Sequence, residues 1–202
     1  KSNHYNLTDA IDLGIIDTGT NGLYSRFIER ITFPIYSISA KLVGFGGRTI
    51  TGHSAKYVNS PQTKLFNKSK LLYGYHLAKE HIYKKNQIIV CEGYLDVIML
   101  HQAGFNTAVA TLGTALTADH LPLLRRGEPK VILAYDGDKA GLAAAFKASV
   151  MLSQSEFEGG VIIFADGMDP ADMVNKNKVE ELNEIFANPI SFTPYAIDYI
   201  IS

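Results

Sequence analysis

The residues KVILAYDGDKAG, Lys130 to Gly141, spell out a strand, a tight turn and the start of a helix. Val131, Ile132 and Leu133, followed by Ala134 and Tyr135, form a short apolar run with β-branched members. Such a run predicts a strand buried on both faces. It breaks at Asp136-Gly137-Asp138, and from Gly141 to Leu152 apolar residues recur at helical spacing. Two carboxylates therefore stand where a strand gives way to a helix, the edge at which open parallel α/β sheets bind ligands. Gly137 keeps a bulky side chain out of the space between them. Taken alone, the pair fits a turn and a helix N-cap equally well.

The neighbouring sequence repeats the pattern. Strand Ile88 to Cys91 leads to helix Tyr94 to Gln102, with Gly104 as its stop. Strand Thr107 to Ala110 leads to helix Ala118 to Arg125, which Pro122 should delay or kink. Strand Val161 to Phe164 leads through a loop to helix Lys178 to Ala187. Repeated βα units of this length predict a parallel sheet with right-handed crossovers, flanked by helices.

Three of these strand ends carry acid: Glu92 with Asp96 one helical turn on, then Asp136 and Asp138, then Asp166, Asp169 and Asp172. The remaining end, Leu112-Gly113-Thr114-Ala115, offers glycine and hydroxyl. Two carboxylates about 4 Å apart repel by roughly 4 kcal/mol at an effective dielectric of about 20. A cluster of them calls for a bridging cation, and carboxylate oxygens without Cys or His in the loops favour Mg²⁺ or Mn²⁺ over Zn²⁺. Cys91 beside Glu92 has no histidine placed to activate it and reads as a packing residue. The six histidines read as surface or packing residues.

Upstream of residue 87 the chain reads differently. Asn6 to Leu13 predicts a short helix ended by Gly14, and Thr18 to Asn21 a turn. Ile31 to Ile35 and Leu42 to Phe45 predict an antiparallel hairpin, with Pro34 marking an edge or bulge. The glycines of Gly44-Phe45-Gly46-Gly47-Arg48 would let backbone approach a ligand or another strand, or form a bulge. Arg48, Lys56, Lys64, Lys68 and Lys70 then recur with Tyr57, Asn59 and Phe66 among them. Cations interleaved with aromatics and amides suit an extended single-stranded nucleic acid. Leu71 to Lys85 predicts a helix with an apolar core face, closed by Asn86. Residues 1–86 hold twelve Lys or Arg against five Asp or Glu, and residues 87–202 hold seven against fifteen. Basic surface suits phosphate, and clustered acid suits a divalent metal.

Composition sets the outer limits. The 202 residues, 47% hydrophobic, can bury a proper core. No apolar run approaches the ~20 residues that span a bilayer, so no membrane role is expected. The single cysteine rules out a disulfide or a zinc ribbon built within these residues. A cytoplasmic setting is expected.

With these residues in place, the chain resembles the catalytic core of the bacterial DnaG-type primases, centred on their TOPRIM domain. The resemblance is carried by RITFPI (30–35), GFGGR (44–48), KYVNSPQT (56–63), LYG (72–74), EGYLDVI (92–98), LGTA (112–115), DGDKAG (136–141) and DGMDPAD (166–172). EGYLD and DGD are shared across TOPRIM enzymes, whereas GFGGR and KYVNSP resemble primases specifically. The resemblance implies a TOPRIM parallel sheet over residues 87–190. It also implies a small basic α+β subdomain over 1–86 and the start of a helical segment at 191–202. It implies synthesis of RNA primers from ribonucleoside triphosphates on a single-stranded DNA template by nucleotidyl transfer during DNA replication. In that setting Glu92 would be a metal ligand or general base. Asp136 and Asp138 would hold Mg²⁺ against the triphosphate, with Asp96 and Asp169 completing the metal site. Arg48, Lys56, Tyr57, Asn59 and Lys68 would bind template and nucleotide phosphates.

The resemblance further implies a replicative helicase as partner, reached through a domain outside these residues, and a zinc-binding domain likewise outside them. Two departures stand out: Asp169-Pro170-Ala171-Asp172 where the family commonly shows Asp-Pro-Asp, and Gln62 where Glu is frequent. Another TOPRIM enzyme (a topoisomerase or nuclease) and a non-catalytic nucleic-acid-binding module remain as alternatives.

Overall fold

The structure, a computed structural model, describes residues 6–52 and 55–201. His4 and His53 lie outside the described residues. The chain forms two compact units, residues 1–68 and 69–202. The shift in charge and pattern predicts a boundary near residue 86. The compact units instead divide before Ser69, because helix α2 (Tyr75–Lys85) packs against strands of the second unit.

In the first unit, helix α1 (Leu7–Asp12) is capped by the Asn6 side chain, which accepts from the Thr8 N–H, and Gly14 follows at φ +67°. Strands β1 (Ile16–Gly19) and β2 (Gly22–Ser25) form an antiparallel hairpin around Thr20-Asn21, where sequence predicts only a turn. Strands β3 (Arg30–Tyr36), β4 (Leu42–Thr49) and β5 (Tyr57–Asn59) make an antiparallel sheet in that order. Pro34 lies on the edge strand and the register shifts just after it, between Ile35 and Tyr36, as a residue lacking an N–H requires. The glycines of β4 form no bulge at the positions they occupy. A Cβ on Gly44 would stand 2.9 Å from the Phe66 ring, and one on Gly47 would stand 2.7 Å from the Phe27 ring. They are glycines because aromatic rings lie flat on the strand there. Phe66 is fully buried, which corrects its placement among surface aromatics.

The second unit is a five-stranded sheet in the order β10-β9-β8-β6-β7. Strands β6 (Gln87–Cys91), β7 (Ala108–Ala110), β8 (Lys130–Leu133) and β9 (Gly159–Val161) are parallel, and β10 (Ile190–Ser191) closes one side antiparallel. Every residue from Val131 to Tyr135 is buried, so the run that reads as a two-faced core strand is buried on both faces, with β8 ending at Leu133. Helix α3 (Tyr94–Gln102) has the predicted bounds. Pro122 delays the next helix: a 3-10 turn over Ala118–His120 precedes α4 (Leu121–Leu124), with the proline in its first turn. Helix α5 (Lys139–Gln154) begins two residues before Gly141, capped by Asp138.

The predicted strand at Val161 to Phe164 lies earlier, at β9, and Ile162 and Phe164 are buried beyond its end. Helix α6 (Pro170–Asn175) precedes the expected α7 (Val179–Ala187), and α8 (Phe192–Ile201) ends the described chain. Asn86 closes α2 in the left-handed conformation at φ 48°. Tyr73, expected within that helix, instead bridges to Ala110 beside β7. The core of this unit joins Ile89, Cys91 and Ile132 from the strands, and Ala134, Ile162 and Phe164 just beyond strand ends, to Val97, Leu100, Met173 and Phe186 from the helices. Among the described residues no helix is long and apolar enough to cross a membrane.

Candidate active site

Topology gathers the acidic loops. Strand β6 lies between β7 and β8, and β9 lies beyond β8, so loops following these parallel strands share the carboxyl edge of one sheet. Glu92 follows β6 and Asp136 follows β8. The Asp136 N–H donates to Glu92 Oε1 at 3.3 Å, joining the acidic ends of β6 and β8 directly. Burial, with the charges of Asp136 and Asp138 added to it, raises the Glu92 carboxyl to about 7.

Asp96 lies deeper. It is only 6% exposed, and its Oδ2 accepts the Gly93 N–H at 3.0 Å, closing the first turn of α3. The Ala171 N–H of α6 also hydrogen-bonds to its carboxylate. Asp96 thus ties the loop after β6 to the segment after β9. Burial raises its carboxyl to about 7, with the charges of Asp169 and Asp136 next in effect. These contacts tie its carboxylate to the backbone of both loops.

Asp138 and Asp169 each cap a helix. Asp138 Oδ1 accepts the Gly141 N–H at 2.7 Å, and Asp169 Oδ1 accepts the Asp172 N–H at 2.6 Å. The N-cap reading of the DGD motif therefore holds for Asp138, which keeps a second carboxylate oxygen for other work. Asp172 sits one turn inside α6, half-buried, and Asp166 is exposed in a 3-10 turn at φ 56°.

Gly137 has a more specific reason than open space. Its N–H donates to the Met168 carbonyl at 2.9 Å, and a Cβ there would stand 2.3 Å from the Phe164 carbonyl oxygen. The loops after β8 and β9 are pressed backbone to backbone at this glycine.

All the candidate donors are carboxylate oxygens, the set a hard divalent cation takes. Among the described residues no group of three or more His, Cys, Asp or Glu side chains is drawn together tightly enough to hold a metal ion as they stand. Burial first, and the neighbouring carboxylates after it, raise Glu92 and Asp96. The donor chemistry fits Mg²⁺ or Mn²⁺. Cys91 is fully buried, and burial together with Asp96, Asp136, Glu92 and Asp169 pushes its thiol up, the reverse of an activated nucleophile. His120, also fully buried, takes the Thr117 N–H on Nδ1 and caps a turn.

In the first unit, Arg48 on β4 pairs directly with Tyr57 on β5, and Gly46 pairs with Asn59. Arg48, Tyr57 and Asn59 therefore share a face of the sheet. The Arg48 guanidinium lies 5.9 Å and the Lys56 ammonium 6.0 Å from the centre of the Tyr57 ring. Two cations flanking an aromatic ring on a half-exposed sheet suit a phosphate and a stacked base. Lys68 opens a 3-10 turn over Lys68–Lys70, away from this trio in sequence.

Sequence reasoning missed helix α6, although Asp169-Pro170 is the signature of an N-cap followed by a proline at the first helical position.

Known proteins match both halves of the chain. Residues 1–79 match the family model of the DNA primase catalytic core, N-terminal domain, and residues 86–163 match that of the Toprim domain. The chain is 58% identical over 189 residues to the DNA primase of Helicobacter pylori, covering 93% of this chain and 34% of that protein. It is 50% identical over 198 residues to the DNA primase of Campylobacter jejuni, covering 97% and 33%. It spans about a third of the length of these relatives. Among solved structures, the RNA polymerase domain of Mycobacterium tuberculosis primase DnaG superposes with a TM-score of 0.89 at 36% identity, covering 98% of this chain and 68% of that one. A DnaG primase catalytic domain bound to ssDNA also gives 0.89 at 36%, covering 98% and 63%. The match in sequence, in fold and over both halves places the chain in one family: it belongs to the DnaG-type DNA primases, within their catalytic core.

Proposed function

We propose that this chain carries the nucleotidyl-transfer centre of a DNA-directed RNA polymerase, which makes short RNA primers on single-stranded DNA from ribonucleoside triphosphates in a cytoplasmic setting. The observation that carries the reading is the convergence of Glu92 and the Asp136–Asp138 turn on one sheet edge, joined at 3.3 Å. Asp136 and Asp138 would hold Mg²⁺ or Mn²⁺, with Asp169 beside them. Glu92 would serve as a further ligand or as the base toward the attacking 3′-hydroxyl. Asp96 positions the set from behind. The divalent cation, when bound, neutralises charge that grows on the phosphates. Arg48, Lys56, Tyr57, Asn59 and Lys68 would take up template and nucleotide phosphates.

Primer synthesis from NTPs on a single-stranded template, compared between the unsubstituted chain and Asp138→Asn, tests the reading. A loss of at least about 100-fold is expected, the scale of removing one preorganised electrostatic group. Full activity in the variant, or no synthesis by the unsubstituted chain, would reject it.

A further inference from the structure

The end of the sheet opposite the acidic loops carries a recess of its own. A cavity of about 270 Å³ opens where β6 and β7 begin. Lys85 and Gln87 line it from the junction of α2 and β6, Phe105 from the turn before β7, and Asn183 and Phe186 from α7. Lys85 and Asn183 are exposed, and Gln87 and Phe105 half-buried, so all four are open to a ligand. Strand β6 is five residues long, which sets Gln87 about 17 Å from Glu92 at about 3.4 Å per residue. No carboxylate lines the cavity, and Lys85 is its one charged residue. The acids of α7 face elsewhere: Glu181 and Glu184 line a different cavity, with Ile163 and Met173. Among the described residues Lys84, Lys85 and Arg126 form no ion pair. Lysines in the last turn of a helix serve its negative end, but Lys85 opens onto the cavity as well. Tyr83 is 80% exposed, and a Cβ on Gly127, next to Arg126, would stand 3.7 Å from its ring.

A cation, two amides and an aromatic ring around one recess match the parts of a nucleotide. An ammonium takes the phosphate and an aromatic ring the face of the base. Amides both donate and accept, as the edge of a base does. A peptide carboxylate would use the cation and leave the ring and the amide oxygens unmatched. The volume is below the roughly 300 Å³ at which whole-ligand pockets begin, which suits one unit of a longer strand. The exposed acids Glu128, Glu156 and Glu158 lie toward β8 and β9, which confines a polyanion to the β6 and β7 side.

We propose that this end of the sheet binds single-stranded nucleic acid and seats one nucleotide in the cavity. Its phosphate lies on Lys85, its base against Phe105, and the edge of the base on Gln87 and Asn183. A neighbouring base lies on the exposed ring of Tyr83, beside Arg126. The assignment goes beyond the polymerase reading, because it needs neither metal nor triphosphate and concerns the far end of the sheet from Glu92.

The test is binding of a fluorescent oligo(dT) of about 12 nucleotides, followed by anisotropy across salt in EDTA. It compares the unsubstituted chain with Lys85→Ala, Asn183→Ala and, as a control, Lys147→Ala on α5; all three side chains are exposed. Lys85→Ala should make the log–log salt slope shallower by about 0.7. Asn183→Ala should weaken binding about fivefold, the scale of one neutral hydrogen bond, and leave the slope alone. Lys147→Ala should change neither. The same oligonucleotide carrying 4-thiothymidine should photocrosslink to the unsubstituted chain near Phe105 or Tyr83. Slope and affinity unchanged in both Lys85→Ala and Asn183→Ala, or crosslinks confined to residues 1–68, overturn the assignment. Crosslinks at this edge suppressed as readily by oligo-glutamate of equal charge as by unlabelled oligo(dT) would overturn it too, and would give the surface to an acidic protein. Because the measurement runs without metal, its failure leaves the polymerase reading standing, and a failure of primer synthesis leaves this surface standing.

Discussion

The acidic edge of residues 69–202 and the cationic sheet of residues 1–68 are built on opposite terms. At the acidic edge the functional side chains are held by backbone. Asp96 takes the N–H groups of Gly93 and Ala171, Asp138 that of Gly141, and Asp169 that of Asp172. In the cationic sheet, Arg48 and Lys56 are held chiefly through the ring of Tyr57, and Lys56 is exposed. The glycines tell the same story. Gly137 is pressed against a carbonyl, whereas Gly47 is pressed against a phenyl ring that can shift. Chemistry on a reacting phosphate needs fixed charge, and a grip on a flexible polyanion does not. The difference between the regions is that between a site that positions and a surface that attracts.

The contrast breaks most visibly at the two glycines. Gly137→Ala forces a carbon against the Phe164 carbonyl and should cost about 3 kcal/mol, lowering the calorimetric melting temperature by about 6–12 °C. Gly47→Ala should cost about 1 kcal/mol, because the Phe27 ring can give way. Equal losses would erase the distinction.

Next in size is a pH effect confined to the acidic edge. Asp96 has a folded-state value of about 7, against about 4 in an unfolded chain. The folded chain therefore keeps a proton that the unfolded chain releases. That contribution to stability is fully present below about pH 4 and is lost as pH rises through about 7. Asp96→Asn removes the share that Asp96 contributes and leaves that of Glu92. In EDTA its melting temperature should gain on that of the unsubstituted chain by about 5–10 °C, on the order of 2.5 kcal/mol, between pH 5 and pH 8. A constant difference across that range would show that burial of Asp96 carries no ionisation cost.

The smallest effect belongs to the cationic sheet. Lys56→Ala should make the salt dependence of single-stranded DNA binding shallower by about 0.7 in the log–log slope, with little change in melting temperature. An unchanged slope would remove Lys56 from the binding surface.

Sequence made legible what local chemistry determines. The run Val131 to Tyr135 is buried as its composition requires. Asn86 closes its helix, Pro34 marks an edge strand, and Pro122 delays a helix. The acidic ends of β6 and β8 meet because the βα repeat fixes a parallel sheet, and adjacency of the two strands does the rest. What sequence could not show depended on distant partners. Phe66 looks like a surface aromatic until Gly44 opens a place for it beneath β4. Gly137 looks like space left for a ligand until the Phe164 and Met168 carbonyls fill it. The strands β1 and β2 are short, and β2 is exposed throughout, so no alternation of polar and apolar residues announces them.

The account depends most on three carboxylates, Glu92, Asp136 and Asp138, acting as one set of donors. Calorimetric titration of Mn²⁺ into the unsubstituted chain and into Glu92→Gln, Asp136→Asn and Asp138→Asn tests this directly. Each substitution should weaken the same binding event by at least about tenfold, or about 1.4 kcal/mol. Mn²⁺ affinity unchanged in all three variants would contradict it.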